Sequence, residues 1–360
     1  MSDPRRIVVF LPNWVGDVVM ATPVLRALRR RYPEAKIDYL GRGISRATLS
    51  GCRWCDRLLA DESRDKSGFG AFRRAARCLR EGDYDTALLL PNSMRTALLG
   101  KLGRVGDMYG YDRDGRGILL KGSLNPARDE QGNRLPMPTT RYYARLAELL
   151  DVEVSDFRLE LPVVETYERQ AEQMLSEAGV DRDRPIVMLN PGASFGPSKM
   201  WEPRRYAQLA DLLIRRDDAQ IIINAAPPEK PIAARVERFM ACSPTINFAE
   251  RDNSLGLLKS LTRRCDVLVT NDTGARHVAA AGGIGVVTLF GSTDPVWAEI
   301  DYPQERQVRL DVWCSPCQEK MCPQPAGPLY HQCMTGIDAE RVYGAVAELL
   351  QAGTACGGGS

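Results

Sequence analysis

Residues 265–295, CDVLVTNDTGARHVAAAGGIGVVTLFGSTDP, leave little choice of architecture. Segments 267–269 and 286–290 are too short and too β-branched for independent helices, so each predicts a buried parallel strand. Residues 275–281 between them predict a short helix. The resulting β-α-β unit sets the loops Asn271-Asp272-Thr273-Gly274 and Gly291-Ser292-Thr293-Asp294 at carboxyl strand ends, where open α/β sheets bind ligands. Asp272-Thr273-Gly274 also opens the helix, and its free N–H groups, hydroxyl and dipole suit a diphosphate. A plain helix cap by Asn271 or Asp272 is the competing account of the same turn.

The alternation recurs upstream. A strand over 6–11 empties into Pro12-Asn13-Trp14-Val15-Gly16-Asp17, and Val19, Met20, Val24, Leu25 and Leu28 give residues 18–31 an apolar helical face. Asp17 therefore sits at a strand-to-helix turn, as a functional carboxylate or as a helix-start residue favoured by the dipole. Strands over 36–40, 57–60 and 84–90, with helices such as 69–80, complete a first α/β domain. Residues 104–138 read as long loops, and 140–150 and 165–178 as helices. A second series begins with a strand over 185–189 that ends in NPGASFGPSKMW, followed by one over 221–223 that ends in NAAPPE. Ser194 and its glycines resemble a phosphate cradle with Lys199 as a point charge, although the spacing is not that of a Walker A loop. Loops 190–199, 224–229, 271–274 and 291–294 then share one end of one sheet and predict a ligand cleft.

With 360 residues, two domains are expected. A hydrophobic content of 44% against 26% charged residues excludes a disordered chain. The absence of a basic, apolar leader or a membrane-length apolar run predicts a cytoplasmic protein. Charge is uneven: residues 1–150 hold 27 Lys/Arg against 17 Asp/Glu, and the remainder 21 against 29. A basic first half predicts an anionic partner, with scattered solvated arginines as the alternative.

Ten cysteines in so long a chain do not frame a secreted domain; Cys52, Cys55, Cys78, Cys242 and Cys265 are scattered. Cys314, Cys317, Cys322 and Cys333, with His331 beside the last, form a cluster in CSPCQEKMCPQPAGPLYHQC. Four thiolates there predict a closed structural zinc site, against unliganded or redox-labile thiols. Four sulfurs would leave no open position for catalysis.

Trp14-Val15-Gly16-Asp17, NPGASFGPSKMW and NDTGARHVAAAGG with LFGSTDP, in that order, resemble the bacterial ADP-heptose:lipopolysaccharide heptosyltransferases of glycosyltransferase family 9, most closely the heptosyltransferase II branch. The resemblance spans residues 6–350. It implies an α/β GT-B fold with two Rossmann-like domains facing a central cleft: an acceptor domain over 1–165, a linker over 166–184 and a donor domain over 185–335 that carries the cysteine loop. A C-terminal helix over 336–353 is expected to pack back on the first domain, before a disordered tail over 354–360. The implied reaction is inverting and metal-independent, with a cytoplasmic enzyme contacting the inner-membrane face, ADP-heptose as donor, a lipid A-Kdo-heptose acceptor and no nucleic acid.

By the same resemblance Asp17 matches the general base. Lys199 matches the lysine beside the diphosphate, Thr273 and Gly274 the phosphate-contacting turn, Asp272 the residue facing the heptose, and His277 the histidine of that helix. Glu229 matches the acid that takes the ribose hydroxyls, and Ser194 joins the donor set. Asn13, Trp14 and Arg95 are expected on the acceptor, with Arg42, Arg104 and Arg116 steering its carboxylates and phosphates. Ala275-Arg276 before His277, and Val296-Trp297 after Asp294-Pro295, depart from the family pattern. His277 as a satisfied core histidine, and Trp14 and Trp201 as packing anchors, remain open alternatives. A heptosyltransferase acting on a protein or another glycan is the alternative function; a zinc-knuckle nucleotide-sugar or nucleic-acid binding module is the distant one.

Overall fold

A computed structural model describes residues 3–63 and 68–357 and divides the chain into two compact units, Met1–Pro162 with Val296–Asp301, and Val163–Pro295 with Tyr302–Ser360. In the first, β1 (Arg6–Phe10), α1 (Val15–Arg31), β2 (Lys36–Gly41), α2 (Gly43–Thr48), β3 (Arg57–Ala60), α3 (Phe69–Gly82), β4 (Thr86–Leu89), α4 (Met94–Leu102), β5 (Asp107–Tyr111), β6 (Gly122–Leu124) and α5 (Thr139–Glu148) follow in order. The strands form one parallel sheet, β3-β2-β1-β4-β5-β6.

The second unit contains α6 (Glu165–Glu177), β7 (Ile186–Asn190), α7 (Pro203–Asp217), β8 (Gln220–Ile223), α8 (Lys230–Phe239), β9 (Ile246–Asn247), α9 (Leu255–Thr262), β10 (Val267–Asn271), α10 (Gly274–Gly282), β11 (Gly285–Phe290), β12 (Glu305–Arg309), α11 (Gln332–Thr335) and α12 (Ala339–Gly357). Its parallel sheet runs β12-β11-β10-β7-β8-β9. Counted from the first strand of each unit, both sheets have the order 3-2-1-4-5-6 of a dinucleotide-binding fold. Strand order reverses between β1 and β4 in one unit and between β7 and β10 in the other. Loops leaving those strands diverge and open a crevice at that point.

Local chemistry explains how the first crevice is held. Pro23 lies inside α1 and cannot donate to the Val19 carbonyl, but the Thr22 hydroxyl donates to that oxygen at 2.7 Å, so the helix continues. The buried Ser45 hydroxyl donates to the Pro12 carbonyl at 2.5 Å and pins the turn that follows β1.

Five expectations are corrected. Residues 104–138 are not only loops: β5 and β6 lie there, in a stretch too rich in glycine and polar residues to show a strand pattern. Arg116 is fully buried rather than steering ligands. It donates to the Tyr111 carbonyl at 2.7 Å and the Pro91 carbonyl at 2.7 Å, and so ties β5 to the loop after β4. α6 is no linker but part of the second unit, with Ala171 and Leu175 in its core. α12, expected to pack back on the first unit, belongs to the second: it buries Val342, Val346 and Leu349 in that same core, and the Arg216–Glu340 ion pair at 2.7 Å joins it to α7. α12 also extends to Gly357, into the expected disordered tail; residues 358–360 of that tail lie outside the described residues.

Candidate active site

In the second unit the four expected loops do leave neighbouring strands, in the order β11-β10-β7-β8. A chain of buried amides holds them. Asn253 Nδ2 donates to Asn224 Oδ1 at 2.5 Å, Asn224 Nδ2 to Asn190 Oδ1 at 2.6 Å, and Asn190 Nδ2 to the Thr270 hydroxyl at 3.1 Å and the Thr273 hydroxyl at 3.4 Å. Asn271, fully buried, donates to the Pro191 and Gly192 carbonyls at 3.0 and 3.1 Å, and its Oδ1 accepts from the Trp201 N–H and the Tyr206 hydroxyl. Asn271 is thus a bracket between β10 and the β7 loop rather than a helix cap.

Lys199 and Asp272 meet at the centre. Lys199 Nζ lies 2.6 Å from Asp272 Oδ2 and 3.1 Å from the Asp272 carbonyl, and the Thr293 hydroxyl donates to the same Oδ2 at 2.8 Å. Burial works to raise the Asp272 pKa, but the Lys199 charge and hydrogen bond outweigh it, and the carboxyl stays below its ordinary range. Thr273 is the N-cap residue of α10, yet its side chain makes no cap hydrogen bond and is engaged with Asn190 and Thr270 instead. The first N–H groups of α10 thus open beside an ammonium, an arrangement that attracts anions.

His277, the fourth residue of α10, is 3% exposed, and its Nδ1 has no hydrogen-bond partner among the described residues. Burial first, then the neighbouring Arg276 charge, lowers its pKa to about 3, against the smaller opposing pull of Asp272 and Glu305. The ring is therefore neutral, and the open nitrogen can accept or donate according to tautomer. A histidine that ionises in the unfolded chain but not in the folded one subtracts stability as pH falls from the unfolded value of about 6.5 toward the folded one. Urea-unfolding midpoints are expected to drop between pH 6.5 and 4, and to drop less in His277→Gln, as followed by fluorescence.

Arg276, the departure from the family pattern, is explained. It is fully buried against Glu305, with Nε–Oε1 at 2.5 Å and Nη2–Oε2 at 2.7 Å, and Glu305 also accepts from Thr288 at 2.6 Å. Trp297, the other departure, belongs to the first unit, where its carbonyl accepts from Thr139 at 2.7 Å and Arg134 lies over its ring.

Glu229 ends a 3-10 turn after β8, and burial raises its pKa despite the hydrogen bond it accepts from the Ala226 N–H at 3.2 Å. A Cβ at Gly192 would overlap the Glu229 carboxyl group, so glycine there lets the two loops approach. Gly192→Ala should displace Glu229 and cost about 1–3 kcal/mol of stability, a loss that thermal unfolding would detect. A shift in nucleotide affinity in the same variant would show that Glu229 reads the ligand.

Ser194, by contrast, is exposed on the β7 loop and takes no part in the hydrogen bonds described above; the buried serine there is Ser198. Its hydroxyl donates to the Glu319 carbonyl at 2.5 Å and shares a 3.0 Å hydrogen bond with Ser292. Its N–H donates to the Lys320 carbonyl, and its own carbonyl lies 2.8 Å from His331 Nε2, which must carry the proton. The Gln318 N–H reaches the Ser292 carbonyl at 2.7 Å, and the Ser315 hydroxyl reaches that of Gly291 at 2.6 Å. The cysteine loop is thus a strap across the loops that carry Lys199 and Thr293. Among the described residues no group of three or more His, Cys, Asp or Glu side chains is placed to hold a metal, so the expected zinc site of Cys314, Cys317, Cys322 and Cys333 is not assembled. Hydrogen bonds from the Ser198 and Ser315 hydroxyls, the His331 ring and the Ser198 and Gln318 N–H groups hold the strap, and burial, reinforced by the other three thiols, raises the Cys333 pKa to about 11.

Trp201 is a packing anchor: fully buried, its ring N–H donates to the Ile337 carbonyl at 2.9 Å and its face meets Tyr206 edge-on.

In the first unit a depression lies at the carboxyl ends of β1, β2, β3 and β4, lined by Phe10, Asn13, Leu40, Asp61, Arg95 and Thr96 among others. Asn13 and Arg95 are brought together there, with the Arg95 guanidinium 4.6 Å over the Phe72 ring and its Nε buried without an acceptor among the described residues. Asp17 is half-buried in the first turn of α1, near the buried Tyr143, and Trp14 is 62% exposed at the N-cap. Arg42 and Arg104 are exposed.

The family described as glycosyltransferase family 9 (heptosyltransferase) matches residues 72–326. The chain is 28% identical to lipopolysaccharide heptosyltransferase 2 of Salmonella typhimurium over 96% of its length and 98% of the relative's. It is 30% identical to lipooligosaccharide heptosyltransferase 2 of Haemophilus influenzae over 80% and 84% of the two chains. The solved structure of E. coli ADP-heptose LPS heptosyltransferase II superposes with a TM-score of 0.76 at 26% identity, covering 97% of this chain and 99% of that one. A family 9 glycosyl transferase from Veillonella parvula has the same fold, with a TM-score of 0.84 at 22% identity over 98% and 99%.

Proposed function

The chain belongs to glycosyltransferase family 9 (heptosyltransferase), and from that premise we propose that it moves a heptose from ADP-heptose onto the heptose-bearing inner core of lipopolysaccharide, as a heptosyltransferase II does. The observation that carries this reading is the Lys199–Asp272 pair, 2.6 Å apart, beside the open N-terminus of α10 at a sheet switch point. There a diphosphate finds an ammonium and backbone N–H groups, and both stabilise the charge that grows as ADP leaves. Glu229 takes the ribose hydroxyls, His277 offers its open nitrogen, and Asp272 faces the sugar while holding Lys199 in place.

In the first unit Asp17 removes the proton of the attacking acceptor hydroxyl as that oxygen bonds to the anomeric carbon and the bond to the diphosphate breaks. One displacement with one base inverts the centre. Asn13, Trp14 and Arg95 hold the acceptor, and exposed basic residues such as Arg42 and Arg104 draw its anionic groups at the cytoplasmic membrane face. The leaving group needs no metal because Lys199 and α10 supply the positive potential. In this reading the cysteine loop is a hydrogen-bonded strap that keeps Lys199 aimed.

The test is ADP release from ADP-heptose with a Kdo2-lipid A acceptor that already carries one heptose, with and without EDTA. Acceptor-dependent ADP unaffected by EDTA is expected. Donor binding without turnover would move the acceptor to a protein or another glycan, and failure to bind ADP-heptose would overturn the donor site.

A further inference from the structure

Cys52 and Cys55 lie outside the site described above, in the turn Gly51-Cys52-Arg53-Trp54-Cys55 between α2 and β3. Only Arg53 and Trp54 separate the two, a C-x-x-C spacing on one turn, and each thiol feels the other electrostatically. Cys52 Sγ accepts from the Trp54 backbone N–H at 3.3 Å. The turn that carries them is fastened at several points. The Cys52 N–H donates to the Leu49 carbonyl at 2.8 Å, and the Trp54 carbonyl accepts from Arg29 Nε at 3.1 Å and the Tyr39 hydroxyl at 3.3 Å. Just beyond, the Asp56 N–H donates to the Ile37 carbonyl at 2.7 Å, which sets Cys55 against the sheet edge. Both residues are nonetheless partly exposed. Two cysteines at C-x-x-C spacing, on a fastened and partly exposed turn, constitute a dithiol rather than scattered cysteines.

We infer that Cys52 and Cys55 are a thiol–disulfide exchange centre that forms a reversible intramolecular disulfide with small-molecule disulfides such as oxidised glutathione. The two positions have distinct parts. Cys52 is the nucleophile, because its sulfur accepts the Trp54 backbone N–H, which favours the thiolate. The direction of its pKa agrees: it is lowered, first by the neighbouring Cys55, whereas that of Cys55 is raised, first by Cys52, then by burial and by the charges of Asp38 and Asp56.

In the first step the Cys52 thiolate attacks one sulfur of the glutathione disulfide, that S–S bond breaks, and one glutathione thiolate leaves. In the second, Cys55 gives up its proton, attacks Cys52 Sγ and expels the second glutathione. The dithiol loses two electrons to the glutathione disulfide, and its two protons end on the two released thiols. Reduced glutathione in excess drives the same steps backward. This inference is independent of the donor and acceptor readings.

The native full-length chain is incubated with oxidised glutathione, quenched with acid, alkylated and digested with trypsin without reduction. Cleavage after Arg46, Arg53 and Arg57 separates residues 47–53 from 54–57, so a Cys52–Cys55 bond appears as one linked pair in place of two alkylated peptides. The linked pair is expected to dominate, and to revert on adding reduced glutathione. Cys55→Ser should stop at the mixed disulfide on Cys52, and Cys52→Ser should react at residue 55 at least about tenfold more slowly. Two singly alkylated peptides from the native wild-type protein, or a link that forms only in urea, would overturn the inference whether or not either variant folds.

Discussion

Asp17→Asn is expected to retain ADP-heptose and to lose transfer by about 10²–10⁴-fold in kcat, the range removed with a general base. Asparagine keeps the shape of the side chain, so α1 and the turn held by Ser45 should persist; circular dichroism and the melting temperature check this. The acid sits in the first turn of α1, at the carboxyl end of β1 where the sheet order reverses. Such a turn presents a side chain to a ligand. Loss of kcat with an unchanged donor dissociation constant assigns Asp17 to proton removal. Undiminished turnover would make it a helix-start residue only.

Lys199→Ala should have two large effects that can be separated. Removing the ammonium takes away the charge nearest the departing diphosphate, and kcat/KM should fall by about 10²–10³, the scale for losing one preorganised group at a developing anion. It also strands Asp272. The two side chains are only 12% and 10% exposed, so the orphaned carboxylate should cost about 3–5 kcal/mol of stability near neutral pH. The double variant Lys199→Ala/Asp272→Asn removes the stranded charge and should regain most of that stability without regaining activity. Wild-type stability from this pair is present above the ordinary aspartate pKa and is lost as pH falls through the depressed value in the folded state. That loss should vanish in the double variant, and its persistence there would assign the acid sensitivity to other groups.

Ser198 shows what the sequence could not reveal. It reads as a polar loop residue next to a lysine, whereas it is 2% exposed and links the β7 loop to Ser292, Glu319 and His331, up to 133 positions away. Ser194 carried the same composition signal and lies exposed. Only the chain's return path distinguishes them. The glycine spacing does hold a clue, since a Cβ at Gly196 would press on the Lys320 carbonyl and one at Gly291 would overlap Met334. Arg116 failed for the opposite reason: arginine in a glycine-rich stretch looks solvated, yet five donors let it satisfy several buried carbonyls at once.

Short-range physics determined much of this protein from the chain alone. β-branched apolar runs specify the buried parallel strands, their polar ends specify which loops gather, and Asp17, Lys199, Asp272 and Thr273 are legible because each lies where a strand gives way to a helix or turn. Strands without an apolar run, such as β5 and β12, were invisible, because their pairing is set by the neighbouring strand rather than by their own side chains. Tertiary structure alone decided that α6 and α12 close the second unit, that Lys199 pairs with Asp272 across 73 residues, and that the cysteine loop straps the loops carrying Lys199 and Thr293. Each of these depends on which distant groups share a buried, low-dielectric site, where an unmet hydrogen bond or charge is costly enough to select one partner.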